Sequence, residues 1–254
     1  MTANPRTRAQ QKTYDVLDIV GKFGFASPGN ITLASGAKMR GYGERLHEIG
    51  LLTKREVSGL VVEGKAVTKI FGLSRKGADL AGVEPVDIWK VSAARMAHTL
   101  IAQRIVIESF RGNGIPFSGI ALDYTVEPQG PGIHFRPDVM LLCQHLADED
   151  AFFGVYIEVE LSGKSGGELD RFFAKLDSLR CVVHFESPQL MHRYLRKMEE
   201  YVIKNELPKW YRRADGIFIP DGVMQFCELN FRHVYFQTRS ESHNLDSLIL
   251  WHSI

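Results

Sequence analysis

Two apolar runs flanking Leu146-Ala147-Asp148-Glu149-Asp150, within residues 134–165, constrain this chain more than any other feature. Their composition and the polar break between them predict a β-hairpin. A turn centred on Asp148 places Val139 opposite Ile157, Leu141 opposite Val155 and Cys143 opposite Phe153, an apolar face fit for a core. That register also sets Asp138 opposite Glu158 on the other face, with Glu160 one pleat further along. Two carboxylates side by side repel unless a cation lies between them, and hard oxygen donors favour magnesium or manganese. The expectation is a divalent-metal site acting on a phosphate. A plainer arrangement stands beside it, with Arg136 paired to Glu160 while Asp138 and Glu158 face solvent. A slip of one residue would send the acids to opposite faces.

The chain has 254 residues, 44% of them hydrophobic and 24% charged, enough for one large domain or two small ones. No apolar run reaches membrane-spanning length, and Met1 to Gln10 has no signal-peptide core, so the expected compartment is the cytoplasm. Cys143, Cys181 and Cys227 are widely spaced in apolar runs, which predicts buried thiols rather than disulfides or a zinc site. The net charge of +1 conceals a split. Residues 1–90 carry 14 Lys and Arg against 9 Asp and Glu, and residues 91–254 carry 17 against 21. A basic front and an acidic back suit a DNA-binding module joined to a metal-binding one.

Along the chain, apolar spacing predicts a helix from about Arg8 to Phe23, stopped by Gly24. Ser27-Pro28 reads as the N-cap and first residue of a short helix ending by Gly36. Residues 37–49 follow as a third helix, weakened by Gly41 and Gly43 and closed by Gly50. Two strands then turn at Glu63-Gly64-Lys65, and residues 75–82 form a short closing helix. Three helices and a basic hairpin follow the order of a winged helix-turn-helix. The run from Leu46 through Gly50-Leu51-Leu52 to Gly72-Leu73-Ser74-Arg75-Lys76-Gly77 resembles the bacterial winged-helix pattern. That resemblance implies a DNA-binding domain over residues 1–84. Lys38, Arg40, Tyr42 and Arg45 would meet the major groove, and Lys54, Arg55, Lys65 and Lys69 the phosphates. A winged helix used for protein contact is the alternative.

Residues 83–90, with Pro85, read as a linker. A strong helix over residues 91–110 then brings His98 and Glu108; each is either an ordinary helix residue or, for Glu108, a third acid for the hairpin pair. Further on, residues 169–179 read as a helix, 180–186 as a core strand, and a helix capped by Ser187-Pro188 runs to about Leu207. Residues 187–213 hold seven basic against three acidic residues, with Arg193, Arg196 and Lys197 candidates for tracking phosphates. Residues 217–219 and 223–231 are expected to extend the sheet. Tyr194 and Tyr201, seven apart on that helix, are either nucleophiles or core packing.

A helix with Glu, a strand with Arg136-Pro137-Asp138, a strand with Ile157-Glu158-Val159-Glu160 and a following helix resemble the core of the PD-(D/E)xK nucleases. Joined to the front module, the layout is similar to plasmid replication-relaxation proteins, in particular MobC-type relaxases. The resemblance implies an α+β chain, with a winged helix followed by a restriction-endonuclease-like mixed sheet flanked by helices over residues 91–254. It implies Mg²⁺- or Mn²⁺-dependent nicking of double-stranded DNA at a plasmid transfer origin, alongside accessory mobilisation or coupling proteins. Asp138, Glu158 and Glu108 would be metal ligands. Glu160 stands where that family has lysine, and three readings remain open. Lysine has moved, to Lys175 first or Lys164 second; or Glu160 is an added ligand; or the centre is inactive. The last of these makes the chain a non-catalytic DNA-binding replication or transcription regulator.

Overall fold

A computed structural model describes residues 5–37, 41–113, 120–121, 136–145, 148–176, 179–204, 210–212, 218–220, 234–240 and 242–244. The chain is mixed α+β and divides into two compact units, Met1–Gly119 and Ile120–Ile254.

In the first unit, helix α1 (Pro5–Phe23) buries Val16, Leu17, Ile19 and Val20 completely. It stops at Gly24, whose φ of +84° disfavours any side chain and whose missing Cβ leaves room for Val86. Helix α2 (Pro28–Ser35) starts and ends where the sequence predicts: Ser27 Oγ accepts from Asn30 N at 3.2 Å, and Gly36 closes it at φ +60°. Helix α3 departs from expectation. It spans only Tyr42–Glu48, because Gly41 sits at φ +99°, a left-handed conformation that cannot lie inside a helix. Lys38 and Arg40 lie outside the described residues. Strands β1 (Leu52–Val62) and β2 (Lys65–Leu73) form an antiparallel hairpin. Its two turn residues, Glu63 and Gly64, both take positive φ, as a type I′ turn requires. Helix α4 (Arg75–Ala81) is capped by Ser74, and Gly77 is obligatory there, since an added Cβ would lie 2.1 Å from Leu51 O.

The segment read as a linker is built into this unit. Residues Ile88–Lys90 form a 3₁₀ turn with Ile88 buried, and Arg55 donates to Ile88 O at 2.5 Å and Val91 O at 3.1 Å. Helix α5 (Ala93–Asn113), assigned from sequence to the second domain, belongs to the first unit. Its Met96 and Leu100 pack with Phe25, Leu60, Ile70, Ile88 and Val91. Polar groups lock it in place. Buried Gln103 donates to Phe25 O and accepts from Asn30, which also donates to Leu100 O. Arg104 forks onto both oxygens of Glu63 at 2.7 and 2.9 Å. Such a bidentate pair, 13% and 5% exposed, ties α5 to the hairpin turn.

In the second unit, six strands form one sheet: β3 (Ile120–Ala121), β4 (Val139–His145), β5 (Asp148–Glu160), β6 (Cys181–Phe185), β9 (Val234–Gln237) and β10 (Ser242–Asn244). The spatial order is β10-β9-β6-β5-β4-β3. Strands β3, β4 and β5 pair antiparallel, β5, β6 and β9 parallel, and β9 with β10 antiparallel. A parallel step needs a crossover, and helix α6 (Gly167–Leu176) provides it between β5 and β6. Helix α7 (Pro188–Lys204) follows β6, with Ser187 Oγ accepting from Leu190 N. Leu169, Phe172, Phe173 and Leu176 of α6 and Met191, Tyr194, Leu195 and Met198 of α7 pack against Cys181, Val183, Phe185, Val234 and Phe236.

The tail carries two corrections. Strand β8 (Phe218–Pro220), near the expected strand 217–219, pairs with β7 (Trp210–Arg212) in a separate ribbon rather than extending the sheet. The strands that do extend it are β9 and β10, in a stretch whose sequence pattern suggests nothing. The expected strand 223–231 lies outside the described residues. No helix among the described residues is long and apolar enough to cross a membrane.

Candidate active site

Away from the turn the hairpin register is the one the side-chain pattern predicts, Val139 pairing with Ile157, Leu141 with Val155 and Cys143 with Phe153; toward the turn it shifts, so that Asp148 pairs with His145 and begins β5 instead of centring the turn. Continued by one residue, it brings Asp138 to Glu158. Asp138 Oδ2 accepts a hydrogen bond from Val159 N at 2.7 Å, which lays its carboxylate against β5 beside that glutamate. Across the parallel pairing, Glu158 stands opposite Val183 and Glu160 opposite Phe185. The acids therefore share the face packed by α6 and α7, at the carboxyl end of β5, where open α/β sheets bind ligands.

Glu160 does not face the site as a bare carboxylate. It is 4% exposed, and its Oε1 is ion-paired with Lys164 Nζ. Its Oε2 accepts from the Tyr194 hydroxyl at 3.2 Å, and that hydroxyl accepts in turn from Lys164 N at 2.9 Å. One buried phenol thus fixes the carboxylate and the loop that follows it. The partner suggested for Glu160 from sequence, Arg136, is replaced by this pair. Burial is the main reason that the Lys164 ammonium has a pKa below the ordinary 10.5. Glu158 and Asp138 oppose that shift and Lys175 adds to it by repulsion, so all three charges lie within electrostatic reach of Lys164. The same two acids, after burial itself, push the Cys181 thiol well above its ordinary 9.0, leaving it a packing residue. Asp138, Glu158, Lys164 and Lys175 therefore share one electrostatic neighbourhood.

Glu108 takes another course. It lies in the first unit and is ion-paired with Arg104, the residue that holds Glu63. Among the described residues no group of three His, Cys, Asp or Glu side chains is placed to hold a metal ion. The donor set that remains is the pair Asp138 and Glu158. Magnesium fits it, since that ion commonly binds through one or two carboxylates and keeps waters or substrate oxygens for its other positions.

The expected DNA contacts fare unevenly. Lys54 and Lys69 both bind Glu44, the former at 3.4 Å, and Arg55 holds Ile88 and Val91. Those hairpin cations are used within the unit. Tyr42 bonds Thr13 through its hydroxyl at 3.0 Å, whereas Arg45 and Lys65 are exposed. Arg45 lines a cavity of about 910 Å³ together with Arg8 and Lys12, two cations of α1 that sequence reasoning passed over. Their i, i+4 spacing was the available signal. On α7, Arg193, Arg196 and Lys197 are all exposed.

No family model matches this chain, and no curated protein or solved structure does.

The Glu44 pair gives a pH-dependent expectation. Hydrogen bonding to Lys69 holds the Glu44 carboxyl below its ordinary 4.5, and the same bond raises Lys69 above 10.5. Glu44 therefore contributes stability that is complete above pH 4.5 and fades as pH falls through its lowered folded value; Lys69's share is complete below pH 10.5 and fades above that. Glu44→Gln should cost under about 1 kcal/mol near neutrality, because both side chains are partly solvated. The gap between the melting temperatures of wild type and variant should close below pH 4.5. A gap that widens in acid would show that the pair is not what Glu44 contributes.

Proposed function

We propose that this chain cleaves a phosphodiester of DNA with the help of Mg²⁺ or Mn²⁺, nicking double-stranded DNA at a plasmid transfer origin. The observation that supports this reading is that Asp138, bonded to Val159 N, and Lys164, paired with Glu160, lie at the carboxyl end of β5, with Asp138 and Glu158 in electrostatic reach of Lys164. Asp138 and Glu158 would hold the ion. When bound, it would polarise the phosphate and lower the pKa of a bound water. Lys164, brought in from the loop after β5, supplies the positive charge that the Glu160 position lacks, and is suited to offset charge building up on the phosphate oxygens.

Hydrolysis is favoured over an ester on Tyr194. Tyr194 is fully buried among Phe172, Phe173 and Phe185, donates to Glu160, and is raised in pKa chiefly by burial, all of which suits a brace rather than a nucleophile. The first unit, with three helices before a hairpin, two after it and exposed Arg45 and Lys65, is read as a winged helix that places the second on its target. Accessory mobilisation or coupling proteins and a cytoplasmic setting belong to this same reading.

A second reading has its own observation. Lys164 is already ion-paired to Glu160 inside the acid cluster. A built-in cation of this kind would suit a DNA-binding regulator that needs no metal. Supercoiled plasmid carrying the cognate origin, incubated with the protein and magnesium or manganese, separates the two. Relaxed circles support the nickase; band shifts without nicking under every metal tried support the regulator.

A further inference from the structure

The loop that carries Lys164 runs Ser162-Gly163-Lys164-Ser165-Gly166-Gly167, between β5 and α6, and the acid cluster accounts for only one of its residues. On its other side is a cleft of about 270 Å³ between this loop, α6 and α7. Lys164, Arg193, Lys197 and Lys204 line it, against the acids Asp170 and Glu200. Both acids are already matched, Asp170 by Lys204 at 2.6 Å and Glu200 by Lys197 at 2.6 Å. With Lys164 paired to Glu160, the charge left in excess at the cleft is that of Arg193.

Arg193 is the best placed of the four. Its guanidinium lies along the loop, donating to Lys164 O at 3.4 Å, and a Cβ on Gly163 would come within 2.7 Å of its Nη1. A planar, always charged fork held beside a polar cleft is suited to phosphate oxygens. Lys164 borders both this cleft and the Asp138–Glu158 cluster, so an anion here sits one side chain from the proposed cutting position.

We infer that this cleft is a subsite for a backbone phosphate next to the one that is cleaved, held by Arg193 and flanked by Lys197, which shares its charge with Glu200. The inference rests on the reading of DNA as substrate, yet it concerns binding and can be tested without cleavage.

The test uses the full chain and a fluorescein-labelled tetrathymidylate in EDTA, a strand too short to be read as a duplex half-site. Arg193→Gln should weaken binding about tenfold, as the loss of a charge-assisted bond to phosphate does. Lys197, a surface residue that cannot disturb the core, should cost several-fold as Lys197→Gln. Each should lower the slope of log affinity against log salt by about 0.7, the value for one phosphate contact on a single strand. Equal affinity and slope in wild type and both variants would overturn the subsite. Inorganic phosphate that raises the melting temperature through Arg193, with no binding of the oligonucleotide, would overturn its assignment to DNA. A wild type that binds through Arg193 but never nicks would leave the subsite standing and remove the cleavage reading.

Discussion

Asp138→Asn is expected to lower the rate of plasmid nicking by about 10³-fold or more. A metal ion on a phosphoryl oxygen supplies several kcal/mol of transition-state stabilisation, and each 1.4 kcal/mol is about a factor of ten. Asparagine keeps the size of the side chain and an oxygen that can still accept from Val159 N at the position of the present 2.7 Å bond. The hairpin should therefore keep its register, and the melting temperature should stay close to wild type. What disappears is half of the negative charge that the ion needs. Glu158→Gln should behave the same way, since both carboxylates are required. Titrating manganese into each variant gives a second readout, a weaker apparent affinity for the ion. Nicking by Asp138→Asn at the wild-type rate would remove the metal centre from this protein, whatever else the chain does to DNA.

The hairpin was legible because its two strands alternate or run apolar on a period of two. With the turn centre fixed, only one register buries Val139, Leu141 and Ile157 together, and Asp138 beside Glu158 follows from that. The caps of α2 were equally local: a serine before a proline and a glycine eight residues on carry their meaning without tertiary context. The allegiance of α5 could not be read that way. A helix rich in apolar residues announces burial but not its partner, and here Gln103 and Arg104, polar residues that look like surface, tie it to the first unit. Strand β9 was missed for a related reason. Val234 and Phe236 alternate over only four residues, and they are buried because β6 accepts them in parallel, a pairing that spans some fifty residues of chain. The place of Lys164 was likewise a question of direction, since sequence does not say that the loop after β5 folds back toward Glu160 through Tyr194.

The choice between Lys164 and Lys175 carries the second large effect. Removing Lys164 alone would leave Glu160 buried without its ion partner, a loss of about 3–5 kcal/mol in stability that would obscure any effect on rate. The informative series begins with Glu160→Gln, which keeps a hydrogen-bond acceptor for Tyr194 and frees the ammonium. If Lys164 is the working lysine, this variant should nick within about tenfold of wild type. Adding Lys164→Gln to it should then cost a further 10²–10³-fold, about the value of one oriented donor at a developing anion. Lys175→Gln, which removes only a repulsive neighbour, should change little. Because burial holds the Lys164 pKa below 10.5, the wild-type rate should fall as pH rises through that lowered value, and the double variant should lose this alkaline limb. Loss of nicking in Glu160→Gln alone, with the protein folded, would make Glu160 a metal ligand instead. Loss in Lys175→Gln alone would hand the lysine's role to the helix and leave Lys164 as a counter-charge within the fold.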